Sequence, residues 1–432
     1  MHSRELRYRT GFASFHLSPI LMTYEETYKH LQKLYDPLAP VISVPGSDLA
    51  IYHERFFSQW WEMLPGAKEY RCAEHDIVFQ EDLEARQRTI AAPYPESLKH
   101  DDIEIVENKE FSYVVFRKAD PRRSTGVILM FHGLNEHYWF KYLPWAKKLV
   151  ELTGKAVVLF PIAFHMNRTP PAWSNSRSMN VVTTTRRAQS EAIMNSSFAN
   201  AAISARLEMI PQRFFWSGAQ TFDDVVRLVS GIRSGSNPLI AAGSSIDIFA
   251  YSIGSFLAEI LLMANPDDLF TASRLFMFCG GPTLDRMSPS SKFILDSDAT
   301  IAIYSFYSER LESELRHDRR IEHFFSEHPA GIMFKVMLSY QKNKEVREKR
   351  FRELQNQIYA IALKKDEVIP PSEVLNILKG DYRDIGVPVE VLDFPFPYDH
   401  ITPFPLDQKN EWLVDEAFNS VFNKAASFFL TP

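Results

Sequence analysis

From about residue 100 to the C-terminus, short continuous apolar runs alternate with stretches of helical periodicity. Gly126-Val127-Ile128-Leu129-Met130-Phe131 is apolar throughout, the pattern of a strand buried on both faces of a parallel sheet. Ala156–Phe160, Ile246–Ala250, Arg274–Cys279, Gln357–Leu363 and Val387–Leu392 read the same way. Between them the spacing predicts helices over Tyr142–Leu152, closed by Gly154, over Thr221–Ile232, and over Glu411–Phe429. Thr221 reads as an N-cap with Asp224 in its capping box, and Phe222, Val225, Val226 and Val229 as the apolar face. Ile103–Val106 and Phe111–Phe116, joined by the polar turn Glu107–Glu110, read as a β-hairpin. Strands alternating with helices predict a mostly parallel α/β sheet with right-handed crossovers and helices on both faces. The hairpin makes that sheet mixed.

Residues 1–100 read differently. Aromatic-rich helical pieces broken by prolines, chiefly Tyr24–Tyr35 and Ile51–Met63, show no strand alternation. They predict an accessory region packed on a core domain of residues 101–432. Two long segments interrupt that core, at about 163–218 and 287–354. Both leave from the C-terminal ends of strands, where open α/β sheets bind ligands, so both read as helical lids. The second ends in the run Lys342–Glu353, whose interleaved acids and bases make a solvated helix face.

Composition narrows the possibilities. A chain of 432 residues, 45% hydrophobic and 24% charged, can bury a large core. Its net charge of −6, spread along the chain, argues against a nucleic-acid partner. The basic start Met1–Thr10 lacks a following apolar h-region, so no secretory signal is expected. The most apolar window, Ile246–Ala264, contains Asp247, Ser252, Gly254, Ser255 and Glu259, costly inside a bilayer. The expectation is a cytoplasmic chain without a transmembrane segment. Cys72 and Cys279 are too few for a disulfide framework and too far apart for a zinc knuckle, and Cys279 reads as a small core residue. No His-Glu-x-x-His or close Cys/His cluster stands out, and His323 and His328 read as solvated. Neither a glycine-rich dinucleotide loop nor a Walker lysine loop follows a strand, and Gly231–Gly235 reads as a helix end. No metal and no cofactor are therefore expected.

The chemistry centres on Ile246-Asp247-Ile248-Phe249-Ala250-Tyr251-Ser252-Ile253-Gly254-Ser255-Phe256-Leu257. An apolar strand stops at a serine and a helix begins at once, the pattern of a nucleophile elbow. Small residues flank the serine two positions away on each side, Ala250 and Gly254, as so sharp a turn requires. A serine hydroxyl needs a base, itself oriented by an acid. Asp366 follows the strand ending at Leu363, and His400 lies between the last strand and the last helix. His132-Gly133-Leu134-Asn135 follows the Gly126 strand.

These motifs resemble the α/β-hydrolase-fold serine hydrolases, over residue 100 to the C-terminus, and suggest an uncharacterised bacterial-type family. The resemblance implies Ser252 as nucleophile, His400 as base and Asp366 as acid. It also implies backbone N–H groups of Leu134 and Ile253 as an oxyanion hole, where losing one donor costs about 3 kcal/mol of barrier. His132, Gly133, Asn135 and Tyr251 are candidate pocket residues, and His165 and Trp173 candidate linings of an acyl pocket. Ala250 in place of glycine, the N-terminal region and the insertions depart from the family pattern. Asp285, after the Arg274 strand, competes with Asp366 for the role of acid; Asp399 does not, because adjacent side chains on an extended loop point apart. The implied function is hydrolysis of an ester or related acyl bond in a small-molecule substrate. A peptidase, thioesterase or acyltransferase, or a non-catalytic ligand-binding protein, are the alternatives. Dehalogenase and epoxide hydrolase chemistry is disfavoured because the elbow residue is Ser rather than Asp.

Overall fold

A computed structural model of the chain describes residues 22–80 and 83–431; the Met1–Thr10 segment lies outside them. Strands Val41–Ser43 (β1), Leu49–Phe57 (β2), Glu110–Lys118 (β5), Ser124–Phe131 (β6), Ala156–Leu159 (β7), Ile240–Tyr251 (β8), Leu275–Phe278 (β9), Ile358–Leu363 (β10) and Val389–Leu392 (β11) form one sheet. Glu69–Cys72 (β3) and Ile77–Gln80 (β4) make a separate two-stranded sheet. In the large sheet the order is β1-β2-β5-β7-β6-β8-β9-β10-β11. β5 runs antiparallel to both its neighbours, β2 and β7, while every pairing from β7 to β11 is parallel. A mostly parallel sheet with antiparallel pairings confined to its β1–β2–β5 side and a β7–β6 inversion is the α/β-hydrolase fold.

The strands' continuous apolar character follows from burial on both faces. Val127, Leu129 and Phe131 of β6 enter one core cluster, with the helices Arg213–Arg233 and Ile253–Ala264. Ile128 and Met130 enter the other, with Tyr142–Thr153 and Glu411–Leu430. The expected helix near residue 24 forms at Tyr24–Leu34, started by a Thr23–Glu26 capping box. It packs on the C-terminal helix, with the Tyr24 and Phe418 rings 4.7 Å apart.

Three local expectations give way to long-range constraints. Ile51–Met63 is not a helix. Its first part is the long strand β2, paired with β5 from Leu49↔Lys118 to Phe57↔Glu110, and only Trp60–Met63 forms a 3₁₀ turn. The sheet therefore runs across the boundary expected at residue 100. Ile103–Val106 is not a strand either: a 3₁₀ turn over Asp102–Glu104 and a helical turn over Val106–Lys109 replace it. The buried Asp102 carboxylate fixes that turn by accepting from Arg206 (2.7 Å) and Arg213 (2.8 Å). Thr221 caps nothing, because its helix already begins at Arg213. Its buried hydroxyl accepts from Ala163 N–H (2.9 Å) and donates to Ser217 C=O (2.8 Å).

The insertions are helical, as expected, and are joined to the core by buried arginines. Arg186 of the first donates to both oxygens of Asp296 of the second, each at 2.8 Å. Arg168, fully buried, donates to Asp224 (2.8 Å), to Asn108 Oδ1 (2.9 Å) and to Pro161 C=O (3.1 Å). Among the described residues no helix is long and apolar enough to cross a membrane.

Removing one partner of a buried pair leaves an uncompensated charge, which costs about 3–5 kcal/mol. Asp224→Ala is expected to lose that much in urea unfolding. The double variant Asp224→Leu/Arg168→Met should recover most of it, because no charge is then stranded.

Candidate active site

β8 ends at Tyr251, and the helix Ile253–Ala264 begins one residue later, leaving Ser252 alone at the corner with φ 57° and ψ −125°. For a non-glycine residue that conformation costs about 1–3 kcal/mol, so the surroundings must impose it. They do so by contact. A Cβ on Gly254 would stand 2.8 Å from Phe131 O and 2.9 Å from His132 O. Ser252 N–H donates to Phe278 C=O at 3.2 Å, tying the corner to β9. Ala250 is fully buried, so a methyl is accommodated where glycine was expected.

Ser252, Asp366 and His400 come together in one buried line. Ser252 Oγ lies 2.7 Å from His400 Nε2, and His400 Nδ1 lies 2.7 Å from Asp366 Oδ2. A carboxylate only accepts, so Nδ1 carries the ring proton and Nε2 is free to take the serine's. The Asp366 geometry is set locally. Its Oδ1 accepts from the N–H groups of Val368 (3.0 Å) and Ile369 (2.8 Å), which turns Oδ2 toward the histidine. The Cys279 thiol sits beside Asp366, its pKa pushed well up by burial and by that carboxylate. It stays a thiol, a core residue as expected.

The His400 loop is held from several sides. Tyr251 stacks under the imidazole (5.5 Å, 18°) and donates its hydroxyl proton to His400 C=O. Lys141 donates to Ile401 C=O at 3.2 Å and pairs with Glu136. Tyr398 accepts from Lys365 N–H at 3.2 Å, linking the histidine loop to the aspartate loop. Sequence reasoning missed Lys141 and Tyr398, which lie outside any motif and act only through the assembled loops.

Asp285 does not join this line. It accepts from Tyr340 N–H at 2.9 and 3.0 Å and from the Thr283 hydroxyl at 2.7 Å, holding the second insertion to its strand. Asp399 is exposed and accepts from Thr402 N–H (2.7 Å) in its own turn.

His132 is fully buried with both nitrogens engaged. Nε2 accepts from Ile162 N–H (2.9 Å), so the proton is on Nδ1, which donates to Gly133 C=O (2.8 Å). Burial and the nearby His165 push its pKa well down. It shapes the turn and cannot serve as a base. Gly133 donates to Tyr142 Oη at 3.0 Å, under the Tyr251 ring. Of the four candidate pocket residues, Asn135 lines a cavity, while His132, Gly133 and Tyr251 are buried. Asn135 also donates to Ala199 C=O (2.8 Å) and Phe293 C=O (2.7 Å), one in each insertion.

Two narrow apolar cavities meet at Leu134. One, of about 70 Å³, is lined by Leu134, Ile253, Leu257, Phe214 and Phe334 among others. The second, about 50 Å³, runs past Leu134, Asn135, Trp173 and Phe164. His165 borders both. Its Nδ1–H donates to Ala163 C=O at 2.9 Å, and its buried Nε2 has no hydrogen-bond partner. Ile253 opens its helix, so its N–H has no acceptor within that helix.

One expectation is overturned outside this site. His323 and His328 are not solvated surface residues. Together with Cys72 and His75 they form a cluster whose nitrogen and sulfur atoms all lie within 4.8 Å of one another.

Burial lowers the His165 pKa from its ordinary 6.5 to about 4. The unfolded chain therefore binds this proton at a higher pH than the folded one. Stability is expected to be fully present above pH 6.5 and to fall as the pH drops toward 4. His165→Gln should flatten that decline in melting temperature measured across the interval.

No curated protein matches the sequence. Among solved structures, the chain is similar to a thermostable esterase from Pseudomonas putida ECU1011, at 10% identity over 81% of this chain and 98% of that one, TM-score 0.43. A Pyrobaculum calidifontis esterase is 14% identical over 73% and 82%, TM-score 0.38. Carboxyl esterase 2 of Tuber melanosporum is 11% identical over 72% and 82%, TM-score 0.38. At such low similarity the fold rests on the chain's own strand order and strand directions. A family model, by contrast, matches nearly the whole sequence, residues 22–430, and the chain belongs to that family of unknown function, DUF6051.

Proposed function

We propose that the chain is a serine hydrolase that cleaves a carboxylic ester or related acyl bond through an acyl-enzyme. The observation that carries this reading is the unbroken run Ser252 Oγ–His400 Nε2–His400 Nδ1–Asp366 Oδ2, with both contacts at 2.7 Å, mounted on a strained strand–helix corner. In the reaction Ser252 Oγ attacks the carbonyl carbon while His400 Nε2 takes its proton. The resulting imidazolium, held by Asp366, returns that proton to the departing alcohol. Water then enters, activated by the same nitrogen, and releases the acid. The N–H groups of Ile253 and Leu134 receive the charge that develops on the carbonyl oxygen. Both residues border the apolar cavity, so an acyl chain seated there would carry its carbonyl past these donors. No cofactor enters any step.

Three variants separate this reading from its rivals. Ser252→Ala is expected to abolish turnover and labelling by a fluorophosphonate, with the melting temperature retained. Asp366→Asn should lower kcat by roughly 10⁴-fold, because the imidazole then takes the wrong tautomer. Asp285→Asn should leave kcat nearly unchanged. Wild-type protein that resists the probe and turns over no short or medium acyl ester would refute the proposal.

A further inference from the structure

The cluster found at Cys72, His75, His323 and His328 has the makings of a metal centre. Cys72 ends β3, and His75 lies in the turn to β4. His323 is on the helix Arg319–Glu327, and His328 sits at the junction with the next helix, Pro329–Val336. The spacings are Cys-x-x-His and His-x₄-His, within the range typical of zinc ligand pairs. The two pairs come from segments 256 positions apart between Cys72 and His328.

Three of the six ligand-to-ligand distances are close to those around a single tetrahedral ion, and all six lie within 4.8 Å. With Zn–S of about 2.3 Å and Zn–N of about 2.05 Å, ligand nitrogens stand about 3.3 Å apart and sulfur stands about 3.6 Å from nitrogen. Here His323 Nε2 to His328 Nε2 is 3.2 Å, Cys72 Sγ to His328 Nε2 is 3.3 Å, and Cys72 Sγ to His75 Nδ1 is 3.4 Å. The three imidazoles are nearly perpendicular in every pair, at 82–89° with centroids 4.9–5.0 Å apart. That arrangement points ring edges at a common centre instead of stacking the rings.

Without an ion these atoms pair chiefly with one another. His328 Nδ1 lies 3.2 Å from Glu74 Oε2. A proton on Nδ1 donates to that carboxylate and leaves Nε2 a bare lone pair. The same lone pair faces both the Cys72 sulfur and the His323 nitrogen. A carboxylate orienting a histidine by its far nitrogen is the usual second partner of a metal-bound imidazole.

We propose that Cys72, His75, His323 and His328 bind one zinc ion. One thiolate and three imidazoles suit zinc's preference for four nitrogen and sulfur ligands, and four protein ligands close the coordination sphere, as in structural sites. The ion staples the β3–β4 hairpin to the second insertion. A two-stranded hairpin is marginal alone, and this one stands apart from the central sheet. The stapled corner also carries Ala330 and Phe334 into the wall of the larger apolar cavity. Metal removal should therefore alter KM for acyl esters more than kcat. That last consequence rests on the proposed hydrolase reading; metal content does not.

The test uses untagged full-length protein purified without chelators. Elemental analysis is expected to find one zinc per chain, and cobalt substitution to give the visible bands of a tetrahedral, thiolate-ligated ion. His75→Ala alters an exposed turn residue and should lose the metal while keeping fluorophosphonate labelling. Glu74→Gln should weaken zinc affinity by about 10-fold. Chelation should lower the melting temperature of the wild type but not of His75→Ala. Wild-type protein that holds no stoichiometric metal and takes up none after thiol reduction overturns the proposal. So does a His75→Ala variant that retains its metal. Loss of metal with intact labelling separates this site's fate from that of Ser252.

Discussion

Gly254 lies so close to β6 that any side chain there would press on the carbonyls of Phe131 and His132. Because that approach brings the helix start against the neighbouring strand, Ser252 is forced into a left-handed corner with its hydroxyl against His400. Every other group in the line is then measured from this fixed point. β9 holds the corner by accepting Ser252 N–H. β6 supplies, one residue past its end, the His132 turn that carries Leu134. The strain of the corner is small beside the burial of the two core clusters on either face of the sheet, so the fold sustains it.

His400 sits near the middle of a long irregular loop, which is a poor place for a group needing sub-ångström placement. The structure compensates by supporting that loop with groups that play no direct part in the line. Tyr251 serves twice: as the residue before the corner and as the stacked floor beneath the imidazole. The Lys141–Glu136 pair reaches the same loop from the His132 turn. Three strand ends are thereby cross-linked through side chains, and the candidate nucleophile, acid and base share one rigid frame.

The legible and illegible parts of the sequence divide by range. Ser252, Asp366 and His400 each follow an apolar strand, so a window of about a dozen residues contains both the strand and its chemistry. β2 was illegible because its partner is β5: Leu49 pairs with Lys118, and local spacing carries no trace of that register. Ile51 and its aromatic neighbours then look helical, since burial at a sheet edge does not impose strict alternation. Thr221 was misread for a related reason, its hydroxyl being used by Ala163 rather than by its own helix. The Cys72–His328 cluster is the extreme case. Each half is an unremarkable pair in a polar stretch, and only folding joins them.

Range also bears on how the cavities open. The two insertions were expected to act as lids, and a lid must move. Yet Arg186 and Asp296 join them through two buried hydrogen bonds, and Asn135 bonds to a carbonyl of each. Separating the insertions would break this buried pair. Motion that parts the insertions is therefore rare, whereas motion that carries both together leaves the Arg186–Asp296 pair intact. The two insertions are thus fastened to each other beside the cavity that Leu134 and Ile253 border.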